Sequence, residues 1–272
     1  MTAPEHPTLQ VSDCGDAAIR VTARGGDAEQ RWRAVHHLAD VLTHAEITGL
    51  YGVVPTYESV LVEFDAVFTD HQVVTSVVSR VAEELQHADP APPVARTFRV
   101  PVVYGGIHGP DLDFVAEHLS TSAEAVVKQH TAHPLTIRCL GAPAGSPMMD
   151  GPAFGRPIPR LRTPRSKAPA GAVAVAGTQA VIAPAASPGG WQIIGRTPLT
   201  LLDLNRDPFV RYRPGDVVAF FAIPESRWAE FDGQVMEPDH AVALRGALAG
   251  SAPPSAGVGA VSDDSLEGLA HD

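Results

Sequence analysis

Apolar residues recur at two different spacings along the first hundred positions, and each spacing predicts one kind of element. Alternating or continuous apolar runs predict four strands, at 17–22, 50–54, 58–64 and 97–104. Apolar positions three and four residues apart predict two helices, one from an N-cap at Asp27 to about His44 and one over 70–87. The resulting order β-α-β-β-α-β predicts a ferredoxin-like unit, in which two helices cover one face of an antiparallel sheet.

The pattern changes after the pair Gly105-Gly106. A helix is predicted from Pro110, and Thr121 and Glu124 form a capping box ahead of another helix that ends at His130. Beyond it, the apolar runs are short and separated by glycine and proline, at 135–140, 172–176, 179–183, 191–194 and 216–223. Such runs are typical of a small β-barrel or sandwich.

We therefore predict an α+β protein with two domains between two tails. The predicted parts are an N-terminal tail at 1–11, a ferredoxin-like domain at 12–95, a β-barrel domain at 96–224 and an acidic, mostly disordered tail at 225–272.

Composition excludes several classes of function. The net charge of −11 argues against nucleic-acid binding, which needs clustered lysine and arginine. No apolar run approaches the ~18 residues that span a bilayer, and Met1–Gln10 has no apolar core of a signal peptide. Cys14 and Cys139 match neither a disulfide framework nor a metal-binding spacing. We expect a cytoplasmic protein without a metal cluster on this chain.

One window departs from the acidic character of the chain. Residues 151–202 contain no Asp or Glu, yet they carry six basic residues: Arg156, Arg160, Arg162, Arg165, Lys167 and Arg196. If the fold gathers them, they attract a small anion. The alternative is that they are solvated charges whose partners come from elsewhere in the fold.

The segment 187–198, Ser-Pro-Gly-Gly-Trp-Gln-Ile-Ile-Gly-Arg-Thr-Pro, combines several features of a binding site. Gly189 and Gly190 let the backbone approach a ligand, Trp191 offers a flat surface, and Arg196 offers a planar charged fork. The structural alternative is a tight turn followed by a strand whose tryptophan fills the core.

General catalytic motifs are absent from the sequence, which has no Walker A loop, no H-E-x-x-H and no G-x-S-x-G. His130 lies at a predicted helix end, where the pattern favours a structural role and a catalytic role equally. Asp111 is a candidate helix-start residue or a catalytic group. Gln179 is a candidate strand residue or a pocket residue.

Several motifs in order along the chain resemble one family. They are Gly15-Asp16-Ala17-Ala18, Val54-Pro55 with Tyr57 and Ser59, Pro101–Gly106, Gly109–Leu112, His130, Leu140-Gly141, Thr163-Pro164-Arg165, Pro169-Ala170-Gly171, Gln179, Ser187–Pro198 and Arg213–Val217. Together they resemble the B subunit of 5-oxoprolinase, a family also described as allophanate hydrolase subunit 1 or the carboxyltransferase C/D domain. The resemblance covers about 12–223, and Ser187–Pro198 is its most specific part.

The resemblance implies a cyclophilin-like barrel and a heteromeric enzyme. The expected partner is a chain of the 5-oxoprolinase C type, which carries the A/B half of the carboxyltransferase fold, and an A-type chain would complete the hydrolysis of 5-oxoproline to glutamate. ATP with Mg²⁺ is the implied cofactor, because phosphorylating the carbonyl oxygen of a lactam supplies a leaving group. A small anionic amide is the implied substrate, and no biotin attachment site is expected on this chain.

The resemblance also implies roles for individual residues. His130 would be the acid–base group and Asp111 an orienting group. The remaining expected contacts with the anion or substrate are Arg196, Arg165, Lys167, Gln179, Gly189, Gly190 and Trp191.

The chain departs from the family pattern at one loop. Where the family has roughly G-F-x-P-G-F-P-Y-L, this chain has Ala142, Ser146 and Met148 in place of the three aromatic residues, and Ile107 replaces a Glu after Tyr-Gly-Gly. Lost stacking surface changes substrate fit or removes activity. Two alternatives therefore remain open: a regulatory binding protein similar to a histidine-kinase inhibitor, and a subunit that processes allophanate or urea.

Overall fold

The computed structural model of the chain describes residues 7–45, 47–85 and 94–239. The described residues through Pro238 form one compact unit that contains two large hydrophobic cores. One core lies between an N-terminal sheet and its helices, and the other fills a β-barrel.

The N-terminal sheet has four antiparallel strands in the order β1-β2-β4-β3. The strands are β1 (Thr8–Asp13), β2 (Ala18–Arg24), β3 (Leu50–Pro55) and β4 (Ser59–Phe64). Two helices, α1 (Ala28–His44) and α2 (His71–Leu85), pack their apolar positions against the inward-facing side chains of this sheet. The alternating burial of β2 and β4 agrees with the periodicity that predicted these strands.

One strand of this sheet, β1, is absent from the prediction and changes the order of elements. Thr8–Asp13 pairs with β2 along its whole length and occupies the sheet edge, whereas the strand 97–104 belongs to the barrel. The observed order is therefore β-β-α-β-β-α, and the predicted N-terminal tail at 1–11 contains the start of a strand. Only Leu9 and Val11 point inward from β1, which is too few apolar positions to give a periodic signal.

Helix α1 begins as the sequence predicted. The Asp27 side chain accepts a hydrogen bond from the Gln30 backbone, and the Gln30 side chain accepts one from the Asp27 backbone, which completes a capping box. The capping box predicted from Thr121 and Glu124 is wrong by one residue. Ser122 is the N-cap of α4 (Ala123–His130), where its hydroxyl accepts from the Ala125 amide.

Seven strands close the barrel in the order β10-β7-β6-β13-β5-β12-β9. They are β5 (Thr97–Tyr104), β6 (Leu135–Gly141), β7 (Ser146–Asp150), β9 (Ala172–Ala176), β10 (Gln179–Ile182), β12 (Gln192–Arg196) and β13 (Val217–Ala222). β8 (Arg165–Ala168) and β11 (Ser187–Gly189) form a separate antiparallel pair, and α3 (Leu112–Leu119) and α4 pack beside the barrel core. The predicted α+β class and the barrel are confirmed, while its likeness to cyclophilin stays a prediction.

The chain remains ordered beyond the predicted end of the barrel domain. A 3-10 turn (Glu225–Arg227) leads into α5 (Trp228–Phe231), Val235 bridges to Thr200, and Met236 is buried. The part of the predicted disordered tail at 225–239 is therefore folded, and residues 240–272 lie outside the described residues. None of the helices in the described ranges combines the length and the apolar character that crossing a membrane requires.

Candidate functional site

A cleft of about 520 Å³ opens on the barrel. Its walls come mainly from four places: the segment Ser187–Trp191, the β6–β7 connection from Leu140 to Met148, the barrel strands β9 and β10, and the Thr56-Tyr57 turn between β3 and β4. Arg160, Ala168 and Ile193 complete the lining. The barrel wall is apolar, with Ala172, Ala174 and Val181 facing the space. The cleft thus lies where the N-terminal sheet meets the barrel.

Backbone hydrogen bonds hold the Ser187–Trp191 wall in place. β11 pairs with β8 through Ser187 and Gly189, and the Gly190 carbonyl accepts from the Leu161 amide at 2.7 Å. A Cβ on Gly189 would meet nothing within 4 Å, so this glycine leaves open space rather than allowing a tight contact. Trp191 is half-buried and packs beside Ala172, Ala174 and Ile193.

A second wall is the loop in which this chain departs from the family pattern. Ala142, Ser146 and Met148 all line the cleft, so the three positions without aromatic rings face the same space as Trp191. This loop and the Ser187–Trp191 segment therefore line the same cleft. Trp191 and Tyr57 are the aromatic side chains that remain along the walls of this cleft.

Arg160 supplies the charge in this cleft. Its guanidinium lies over the Trp191 ring, 5.5 Å from the centroid, and it is the one charged side chain among the described residues that line the space. Because no lining residue is an Asp or Glu, Arg160 gives the lining of the cleft a net positive charge in an otherwise acidic protein.

Two ionisable groups in the cleft stay protonated. Burial raises the pKa of the Cys139 thiol to about 11, so it is not a thiolate nucleophile at neutral pH. Burial also raises the pKa of Tyr57, helped by the nearby Cys139 and Asp150, and its hydroxyl donates to the Met149 carbonyl at 3.4 Å. Both groups act as neutral hydrogen-bonding or packing surface.

His130, the predicted acid–base residue, is the last residue of α4 and lies against the barrel strands β5 and β13 rather than in the cleft. It is fully buried, its Nδ1 is 2.8 Å from the Tyr104 hydroxyl, and its ring packs against Phe220. Burial lowers its pKa to about 3, which keeps the ring neutral. An acid–base group must reach its substrate, so the position of His130 supports a structural role.

Asp111 and Arg165 hold each other at a different place. Arg165 Nη2 donates to Asp111 Oδ1 at 2.5 Å, and Asp111 Oδ2 accepts from the Ile193 amide at 2.7 Å. Asp111 is the N-cap residue of α3, but its side chain ties this helix to β8 and β12 instead of capping it. The two predicted site residues thus form an ion pair with each other outside the lining of the cleft, and their roles at a functional site stay predictions.

The other predicted site residues divide between the cleft and its surroundings. Gly189, Gly190 and Trp191 line the cleft, whereas Arg196, Lys167 and Gln179 do not. Arg196 Nε donates to the Ala170 carbonyl at 2.8 Å, and its guanidinium lies over the Trp228 ring. Lys167 is exposed on β8, and Gln179 is half-buried at the start of β10, where its side chain interacts with the Tyr57 hydroxyl.

Comparison with known proteins assigns the chain to a family. The model of the carboxyltransferase domain, subdomain C and D, matches residues 9–211. The chain belongs to that family. It is 32% identical over 224 residues to the 5-oxoprolinase B subunit of Bacillus subtilis (strain 168), covering 79% of this chain and 93% of the relative. It is 38% identical over 143 residues to the 5-oxoprolinase B subunit of Escherichia coli O157:H7, covering 53% of this chain and 66% of the relative.

Solved structures of related proteins have a similar fold. The crystal structure of TTHA0988 superposes with a TM-score of 0.64 at 31% identity, over 76% of this chain and 40% of that one. The urea amidolyase of K. lactis superposes with a TM-score of 0.72 at 20% identity, over 86% of this chain and 16% of that one. This family member therefore corresponds to less than half of each of those longer chains.

Residue-by-residue prediction missed the cleft residues Arg160, Tyr57 and Cys139. Arg160 stood in the acid-free window and Tyr57 in a family motif, but neither was assigned to the site. The acid-free window was a usable signal, because it contains the arginine that the fold brings to Trp191. Nothing local in the sequence marks Cys139, whose place depends on the pairing of β6 with β7.

Proposed function

We propose that this protein is the B-type subunit of an ATP-dependent 5-oxoprolinase, working in the cytoplasm with a C-type partner that carries the A/B carboxyltransferase half. The observation that carries the proposal is 32% identity over 93% of the length of a 5-oxoprolinase B subunit. The cleft agrees with a small anionic amide, because it combines an apolar barrel wall, neutral hydrogen-bonding groups and one arginine.

This chain's own residues would bind and orient the substrate. The apolar wall of Ala172, Ala174 and Val181 would exclude water from a flat ring, while Arg160 would attract the charged end of the substrate. Tyr57, kept protonated by burial, offers a hydrogen-bonding hydroxyl at the edge of the cleft.

ATP with Mg²⁺ remains the proposed cofactor of the assembled enzyme, in which it would activate the amide carbonyl. The cleft by itself does not fit Mg²⁺-ATP, since one arginine lines it and the described residues contain no cluster of His, Cys, Asp or Glu suited to a metal. We therefore infer that the partner chain supplies the groups that hold the nucleotide, and no step on this chain depends on it.

Co-expression with the C-type and A-type chains tests the proposal. The assembled complex is expected to hydrolyse ATP only when 5-oxoproline is present and to release glutamate, whereas this chain alone is inactive. A stable, correctly assembled complex without 5-oxoproline-dependent ATP hydrolysis would overturn the proposal. Allophanate and urea, assayed in parallel, distinguish the related substrates.

One observation favours a second candidate, a regulatory binding protein without catalysis. Ala142, Ser146 and Met148 leave one wall of the cleft without the aromatic rings of the family pattern. A binding role would preserve the fold and the partner surface while relaxing the substrate contacts. Inhibition of a purified histidine kinase by the isolated chain, together with an inactive complex, would support this candidate instead.

A further inference from the structure

Hydrogen bonds hold the backbone on both sides of Arg160 at the cleft. The Pro159 carbonyl accepts from Gln192 Nε2 at 2.8 Å, and the Leu161 amide donates to the Gly190 carbonyl at 2.7 Å. Gln192 and Gly190 flank Trp191, so the same short segment holds the tryptophan and the arginine that lies over it. The backbone of Arg160 is therefore held before a ligand arrives, and its exposed side chain is positioned by the contact with Trp191, which lowers the conformational entropy lost on binding.

The guanidinium of Arg160 also has no competing carboxylate nearby. None of the ion pairs formed among residues 7–45, 47–85 and 94–239 includes Arg160. Arg165, by contrast, is paired with Asp111, and Arg196 lies over Trp228 with its Nε bound to the Ala170 carbonyl. Of the three arginines, Arg160 is the one that both lines the cleft and keeps its donors available.

We propose that Arg160 is the specificity-determining residue of the cleft and binds the carboxylate of a small, flat cyclic amide acid beside Trp191. This inference rests on the proposed function, from which it takes the class of ligand. The planar guanidinium matches a carboxylate with two parallel hydrogen bonds, a geometry that a lysine cannot reproduce. The apolar strands β9 and β10 then face the uncharged part of the ring.

Calorimetric titration of the full chain tests this role with two ligands that differ only in the carboxylate. 5-Oxoproline carries the carboxylate, and 2-pyrrolidinone is the same lactam ring without it. Because a hydrogen-bonded charge contributes substantially to binding, we expect wild type to prefer 5-oxoproline by about 10- to 100-fold. Arg160→Gln is expected to bind both ligands alike, and Arg160→Lys to recover only part of the preference.

Arg162→Gln is the matched control, because Arg162 is exposed two residues away and does not line the cleft. It should retain the wild-type preference, and all variants should keep the wild-type urea midpoint. Three outcomes would overturn the inference. They are an unchanged preference for 5-oxoproline in Arg160→Gln, an equal loss of that preference in Arg162→Gln, and no binding of 5-oxoproline to the wild-type chain.

The activity of the assembled complex separates this inference from the proposed function. If the complex turns over 5-oxoproline and Arg160→Gln does so with an unchanged KM, the function stands and the inference is wrong. If the complex is inactive while Arg160 still controls the carboxylate preference, the proposed reaction is wrong and the recognition of a cyclic amide acid stands.

Discussion

Arg138 Nη1 on β6 donates to Glu29 Oε2 on α1 at 2.6 Å, which joins the barrel to the N-terminal sheet domain. The same guanidinium contacts Asp150 Oδ2 at 2.7 Å and lies over the Trp32 ring, 5.0 Å from its centroid. The indole Nε1 in turn donates to the Arg138 carbonyl at 2.8 Å. Burial raises the pKa of Glu29, but hydrogen bonding and charge from Arg138 and Arg33 outweigh it and leave the pKa lowered.

Replacing Arg138 should therefore loosen this junction. Arg138→Ala is expected to lower the free energy of unfolding by about 1–2 kcal/mol, because both carboxylates are partly exposed and solvent screens part of the loss. Urea denaturation at neutral pH measures this change in the free energy of unfolding. Arg24→Ala, at the exposed end of β2, is the control and should change stability by less than about 0.5 kcal/mol. Equal effects of the two substitutions would contradict a role for Arg138 at the junction.

The Asp111–Arg165 pair gives a prediction that separates structural from catalytic roles. Asp111→Ala leaves Arg165 and the Ile193 amide without their partner, so we expect a loss of about 2–4 kcal/mol in unfolding free energy. Asp113→Ala is the matched control, since Asp113 is exposed in the first turn of the same helix. A normal melting temperature with lost turnover in Asp111→Ala would instead support the catalytic role that the family resemblance implied.

His130 should make the protein sensitive to acid. Its pKa of about 3 in the folded state lies below the 6.5 of a free histidine, so the unfolded state binds the proton first. The stability contributed by the neutral ring is complete above pH 6.5 and is lost as the pH falls towards 3. Linkage gives a loss of about 2 kcal/mol at pH 5 relative to pH 7 from this residue alone.

The variant His130→Gln tests this dependence by urea denaturation at pH 7 and pH 5. It should be less stable than wild type at pH 7, but the further loss on going to pH 5 should be about 2 kcal/mol smaller. His36, whose pKa burial lowers to about 4, contributes equally in both proteins. His133→Gln, exposed just beyond α4, should leave the dependence unchanged, and a parallel response of His130→Gln and wild type would refute the assignment.

The spacing of apolar residues predicted most helices and strands, because buried positions recur at regular intervals along them. β2, β4, α1 and α2 each bury one face, and that face is visible in the sequence as apolar residues at fixed spacing. β1 was not predicted because only two apolar residues point inward from it. The strand 97–104 was found, but its assignment to the wrong sheet shows that local pattern does not determine a partner about 120 residues away, such as β13.

The candidate site could be predicted only in part. The glycines and Trp191 were identified because their residue types are unusual within a short segment. Arg196, Arg165 and Arg160 are alike in sequence, and only the fold decides that one lies over Trp228, one pairs with Asp111 and one lines the cleft. His130 illustrates the same limit, because its complete burial depends on how α4 packs against β5 and β13, which its neighbours in sequence do not show.

The loop without aromatic rings gives a gain-of-function prediction. Ala142 is exposed and lines the same cleft as Trp191, so Ala142→Phe restores an aromatic surface at the position where the family pattern has one. A ring packed against a flat ligand contributes about 0.5–1.5 kcal/mol, so 5-oxoproline should bind about 2- to 10-fold more tightly. Ala144→Phe, in the same loop but away from the cleft lining, should not change affinity. Calorimetric titration of both variants decides the matter. If Ala142→Phe and the wild-type chain bind 5-oxoproline with equal affinity, the missing aromatic rings do not limit ligand binding in this chain.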